Sequence, residues 1–196
     1  ELAGWLVTEG AAVRTVSLPF DFHEYFADYF KLLSHRTSGF ISREDRQAIA
    51  LQVRDKEDER ARLRGEALTM WAFELHQLID RREAYWFAFC SFFRDVDVLL
   101  SPMALGPAFK HPPDLPFDSR TITVNGKTIS YSDTIYSPAL AILAGQPATA
   151  FPGGLSREGL PIGLQAIGPY LEDRTPLRFA QLVEDGWRKF EAPPGY

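Results

Sequence analysis

The stretch GQPATAFPGGLSREGLPIGLQAIG, residues 145–168, decides the fold class, because it sets two short apolar runs between clusters of turn residues. Ala148 to Phe151 is closed by Pro152-Gly153-Gly154, and Ile162 to Ile167 is opened by Gly159-Leu160-Pro161 and closed by Gly168. Glycine supplies positive φ, and proline fixes φ and removes a donor, so these clusters mark strand ends. The stretch therefore predicts strand, turn, strand, with the two strands as neighbours in one sheet.

Upstream of this stretch, Asp97 to Ser101 reads as another short strand, stopped by Pro102. The segment from Pro102 to Arg120 carries five prolines and reads as a rigid, irregular loop. Residues 121–131 place β-branched alternation on both sides of Asn125-Gly126, which predicts a type I′ hairpin. A helix with Ala139, Leu140, Ile142 and Leu143 follows, capped by Ser132 or Asp133 and ending at Gly145; a last helix is expected over about Thr175 to Phe190.

Upstream, residues 2–9 read as a helix ended by Gly10, and Ala12 to Leu18 alternates toward a strand stopped by Pro19. Phe22, Tyr25, Phe26, Tyr29, Phe30 and Leu33 recur at spacings of three and four, giving an amphipathic helix from Asp21 with an aromatic stripe. Ser42 is the N-cap of a charged helix that runs to about Glu57. One long helix, roughly Glu59 to Phe93, is expected next; its second half is apolar on nearly every side, the mark of a buried segment. The order of elements gives an α/β chain packed as one unit over residues 1–196.

The 196 residues, 45% of them hydrophobic, are enough to bury a sizeable core. A formal charge of −5 disfavours a nucleic-acid surface, and the one basic cluster, Arg60-x-Arg62-x-Arg64, follows an acidic segment, so it reads as a solvated, self-compensating helix face. Cys90 stands alone among phenylalanines, so it reads as a buried hydrophobe, and a reducing cytoplasm is the expected location. No apolar run is long enough for a transmembrane helix, and no membrane association is expected.

Chemistry is hard to place in this chain. It has no Gly-x-Ser-x-Gly elbow, Ser-x-x-Lys pair, phosphate loop or His-x-x-x-His pair, and no cofactor is expected. His23, His35, His76 and His111 are scattered, and none of the five lysines lies in a small-residue setting that would lower its pKa. Ser156, in Ser-Arg-Glu-Gly, reads as an exposed turn serine.

Gly145-Gln146-Pro147-Ala148, Pro152-x-Gly154 and Gly159-Leu160-Pro161-Ile162-Gly163-Leu164-Gln165-x-Ile167-Gly168, together with Asp97-Val98-Leu99-Leu100-Ser101-Pro102, resemble the C-terminal part of the amidase signature family. The resemblance implies the C-terminal part of that α/β fold: a mixed β-sheet flanked by helices, with one long buried helix and a β-hairpin. It also implies a parent enzyme that hydrolyses amides through a Ser, cis-Ser, Lys triad held in a Gly/Ser-rich loop of the N-terminal half. No such loop occurs here, so the chain is expected to be an inactive C-terminal portion. Its site residues would enclose and orient a small-molecule amide: Ser101 and Met103 in the strand-end loop, and Asp133, Tyr136 and Ser137 in the hairpin-to-helix segment. Packing or capping roles stay open for each. Many members carry an Asn where Ile142 stands, which implies a more apolar pocket here. Two alternatives stand beside this reading: a non-catalytic binding module that keeps the pocket, and the catalytic subunit of a tRNA-dependent amidotransferase. Truncation would also leave an apolar surface and favour self-association.

Overall fold

A computed structural model describes residues 1–111, 114–115 and 119–192. Helix α1 (Leu2–Thr8) is followed by an irregular segment, then by α2 (Phe22–Thr37), α3 (Arg43–Val53), α4 (Glu59–Thr69) and α5 (Ala72–Phe92). Strand β1 (Leu99–Pro102), the hairpin β2 (Thr121–Val124) and β3 (Lys127–Ser130), and a 3₁₀ turn (Tyr131–Ile135) lead into α6 (Tyr136–Ile142). Strands β4 (Ala148–Leu155) and β5 (Pro161–Ile167) and helix α7 (Arg174–Gly186) complete the order. The α/β class holds. No helix among the described residues is long and apolar enough to cross a membrane.

β4 and β5 pair antiparallel, and β5 also pairs antiparallel with β1, giving a three-stranded sheet in the order β1-β5-β4. The turn cluster at Pro152-Gly153-Gly154 does not end β4, as the sequence leads one to expect. It lies inside the strand as a bulge, with Pro152 opposite Gly163 and Gly154 opposite Ile162. Glycine is required there because a Cβ on Gly153 would lie 2.7 Å from Leu164 Cγ, and Gly154 holds φ +118°. The true turn is Ser156–Gly159, where Ser156 Oγ accepts from the Glu158 and Leu160 amides and donates to Glu158. The β2–β3 hairpin is as expected, with φ 51° at Asn125 and 75° at Gly126, the two positive angles of a type I′ turn.

Successive strand residues face opposite sides of the sheet. Leu99 and Ile167, paired across β1 and β5, face a core built from Tyr25, Phe26, Tyr29, Phe89 and α6. Phe151, Ala166, Leu100 and Leu164 face a second core closed by Leu2, Leu6 and Val183 of α1 and α7. The aromatic stripe of α2 lies in the first core, where the Tyr25 hydroxyl donates to the Leu140 carbonyl and accepts from the Ala144 amide, so that α2 clamps α6. Asp21 caps α2 through the Glu24 amide, and Ser42 caps α3 through the Asp45 amide.

Four further expectations fail. Ala12–Leu18 is no strand: among the described residues it has no ladder partner, and its alternation lays Val16 and Leu18 on the first core. The long helix over Glu59–Phe93 is two helices, broken at Met70 (ψ 130°) and Trp71 (ψ 156°), where the Glu74 carboxylate reaches back to accept the Trp71 amide. Nor is α5 buried on every side, since only Leu78 and Phe89 are fully buried while Phe73 and Phe87 are exposed. Neither Asp133 nor Ser132 caps the hairpin-to-helix segment; the Ser130 hydroxyl does, accepting from the Ser132 amide.

Burial raises the pKa of Tyr25, Tyr29, Tyr85 and Tyr136 above the ordinary tyrosine value near 10; in Tyr85 the Asp28 carboxylate adds to the rise. The folded state therefore holds these protons longer than the unfolded chain. The associated stability is full below the unfolded value and is lost as pH rises through the folded values. The urea midpoint should accordingly fall between pH 8 and pH 11, and Tyr85→Phe should flatten that fall; a midpoint constant over this range would contradict the burial.

Candidate active-site segment

Arg60 lies in the first turn of α4 and shares a face with Leu63 and Ala67, three and seven residues on, so helical spacing carries it into the apolar interior. It is 8% exposed, not on a solvated face as its charged neighbourhood leads one to expect. Its Nε donates to Asp133 Oδ1 at 2.9 Å and its Nη2 donates to the Tyr136 hydroxyl. Its guanidinium carbon stands 4.3 Å from the centre of the Phe26 ring and 5.1 Å from that of Tyr136, and these two rings stack on each other. Nη1 is buried without a hydrogen-bond partner; the closest carboxylate oxygen, Glu59 Oε2, is 3.9 Å away, too far for a hydrogen bond. The cluster thus aligns a cation, a carboxylate and a phenol, with one guanidinium edge left for a further acceptor.

Tyr136 keeps its proton beyond the ordinary tyrosine range: burial is the main cause, and the Asp133 charge adds to it against the opposing pull of Arg60. At neutral pH it is a neutral hydroxyl, able to accept from Arg60 while offering its own proton.

Two of the remaining expected site residues, Ser101 and Ser137, meet through one side chain. Gln165, 2% exposed in the middle of β5, donates from Nε2 to Ser101 Oγ at 2.9 Å and to the Ser137 carbonyl at 2.7 Å. Ser101 and Gln165 are register partners across β1 and β5, which explains their approach. Gln165 ties the strand-end loop to the start of α6, and Ser137 follows Tyr136 directly, so four of the five expected residues form one connected group. Met103 stands apart. Its amide donates to the Gly163 carbonyl, and its Cβ occupies space left by Gly163, where an added Cβ would approach to 3.3 Å. Ile142 is 57% exposed, so the apolar pocket expected around it is not formed by this residue among the described ones.

A cavity of about 260 Å³ lies between Leu105, Pro107 and Phe109 of the loop, Ile122 of the hairpin, and Tyr131 and Thr134 of the 3₁₀ turn that also carries Asp133; none of the five expected site residues lines it. Prolines 112, 113 and 116 of that loop lie outside the described residues. Arg60 and Gln165 are the members that sequence reading does not single out. The signal for Arg60 is its spacing to Leu63 and Ala67; for Gln165 it is a lone amide within an apolar strand. Gln165→Leu should leave the Ser101 hydroxyl and the Ser137 carbonyl short of a partner and cost about 1–3 kcal/mol in urea unfolding. An unchanged midpoint would show that the amide bridges nothing of consequence.

A family model described as Amidase matches residues 5–177. A glutamyl-tRNA(Gln) amidotransferase component from Parvibaculum lavamentivorans is 31% identical over 97% of this chain and 40% of its own length. Its counterpart from Granulibacter bethesdensis is 28% identical over 93% of this chain and 38% of its own. The chain thus spans about two fifths of the length of these curated relatives. Among solved structures, a bacterial aryl acylamidase of the amidase signature family superposes with a TM-score of 0.67 at 19% identity, covering 96% of this chain and 39% of that one. A crystal structure of an amidase gives 0.66 at 22% identity, covering 94% and 40%. At such identities the two structures establish a shared fold, while the family match runs through α1, the helical segment, the sheet and the start of α7. The chain belongs to the amidase signature family.

Proposed function

We propose that this chain is the C-terminal portion of an amidase that hydrolyses carboxamide C–N bonds, giving an acid and ammonia or an amine. In this reading residues 1–196 complete the sheet and line the substrate pocket, and the Ser, cis-Ser, Lys triad of the family is supplied by chain outside them. The observation that carries the reading is the free, buried Nη1 of Arg60 beside Asp133 and Tyr136: a desolvated donor held in place by two partners is suited to orient an acceptor on a substrate. Ser101 and Ser137 shape the neighbouring wall through Gln165, and Met103 supports it from the strand-end loop. In this reading none of the five expected site residues breaks a bond. The longer length of the relatives agrees with a triad placed elsewhere.

The purified 196-residue chain should release no ammonia from simple amides; measurable hydrolysis by it alone would overturn the proposal. In the complete protein, Arg60→Lys should raise KM for amides bearing a second acceptor more than for plain alkyl amides. An equal change for both would remove Arg60 from the substrate's surroundings.

A second reading, a portion of an amidotransferase catalytic subunit, is favoured by the names of the sequence relatives. It predicts that glutamine outcompetes aryl and alkyl amides as substrate, and that partner subunits copurify. Preference for an aryl amide, with no copurifying subunit, would rule it out.

A further inference from the structure

Helix α3 contributes no residue to either core, and with its C-cap Arg54 it carries a row of residues at helical spacing: Arg43, Arg46, Gln47, Ala50, Leu51 and Arg54. With α4 and the break at Met70–Trp71 it borders two depressions of about 520 and 470 Å³, which share Gln47 and Thr69 and so form one groove along α3. Close approach of the helices fixes the groove floor, because a Cβ on Gly65 would sit 2.6 Å from Val53 Cγ2. The middle is aliphatic, with Leu51 70% exposed, and Trp71, 77% exposed, stands at one end.

Charge distinguishes this groove from the rest of an acidic chain. Arg43, Arg46, Arg54 and Arg62 line it, and none is ion-paired to a carboxylate among the described residues. Arg46 and Arg62 spend donors only on backbone carbonyls. The one acidic residue in the lining, Glu66, is bound to Lys31. The groove is therefore apolar along its floor and cationic at its rim, within a molecule of formal charge −5.

We propose that this groove docks an acidic amphipathic helix of another protein. A helix laid between two packed helices can place leucine-like side chains on Ala50, Leu51 and Trp71 and glutamates against the four arginines. The 11 residues of α3 span about 16 Å at ~1.5 Å per residue, which accommodates about three turns of a partner helix. A nucleic-acid strand fits less well, because its bases need aromatic platforms along the path and the floor offers aliphatic carbon except at Trp71.

The test is photocrosslinking of the complete protein, in the cells that produce it, with p-benzoylphenylalanine in place of Leu51, followed by sequencing of the captured segment. The expected product is a second polypeptide joined through a segment of net negative charge with apolar residues three and four apart. Its yield should fall about tenfold or more in Arg43→Glu/Arg54→Glu and persist in Arg43→Lys/Arg54→Lys, as charge-steered docking requires. Circular dichroism confirms that both variants fold. The proposal is overturned by no adduct, by an adduct to this chain, a second copy, a nucleic acid or a lipid, by a neutral or basic captured segment, or by a yield insensitive to the charge reversal.

Discussion

Arg60→Ala is expected to destabilise the protein by about 3–5 kcal/mol, because it removes the partner of a largely buried carboxylate and leaves that charge in place. Asp133 is only 17% exposed at its side chain and has Arg60 as its ion-pair partner. The stacked Phe26 and Tyr136 rings lose the guanidinium that covers them, and the Tyr136 hydroxyl loses a donor. The contrast with two further variants identifies the cause. Arg60→Lys keeps the charge and loses the fork, so it should fall between wild type and Arg60→Ala. Arg60→Met combined with Asp133→Leu removes both charges and should recover most of the loss, since two apolar side chains carry no desolvation cost. If the double variant is no more stable than Arg60→Ala, lost packing accounts for the effect and the ion pair does not. A loss below about 1 kcal/mol for Arg60→Ala would place the residue in a solvated setting after all.

The second large effect is expected at Phe89. Its ring is 0% exposed and packs edge-on against Phe20 at 5.1 Å and stacked with Phe93 at 5.9 Å, in the core that joins α2, α5 and α6. Phe89→Ala should cost about 3–5 kcal/mol, the transfer of a buried ring plus the cavity left behind. Phe87, two residues earlier, is 61% exposed, and Phe87→Ala should lie within about 0.5 kcal/mol of wild type. Urea unfolding of the two variants side by side checks which face of α5 carries the load. Equal losses would mean that α5 is enclosed on both sides.

That pair also shows where sequence reading succeeds and where it stops. Local chemistry is legible: the start of α2 at Asp21, the Ser42 cap, the Asn125-Gly126 turn, and the two strands around the Ser156–Gly159 turn all form from residues close in sequence. Composition around Phe87 and Phe89 is equally apolar, so only the partners of α5 decide which ring is buried. The break at Trp71 is hidden because its cap is a glutamate three residues later, behind a tryptophan that is not itself a capping residue. The Pro-Gly-Gly run reads as a turn until Leu164 on the neighbouring strand is known to need the space of a missing Cβ. At the site, Asp133 and Tyr136 are picked out by resemblance. Their partner Arg60 lies over seventy residues upstream in a charged run, and no local pattern joins them.

The sheet order β1-β5-β4 has a consequence for how the molecule comes apart. Ile167 belongs to one core and Ala166 to the other, so consecutive residues of the central strand serve as a party wall between two rooms. Sliding that strand by one position would exchange the lining of both rooms together, and melting either one strips support from its neighbour. Amide hydrogens of residues 164–167 should therefore be the slowest to exchange, opening only when both halves are lost at once.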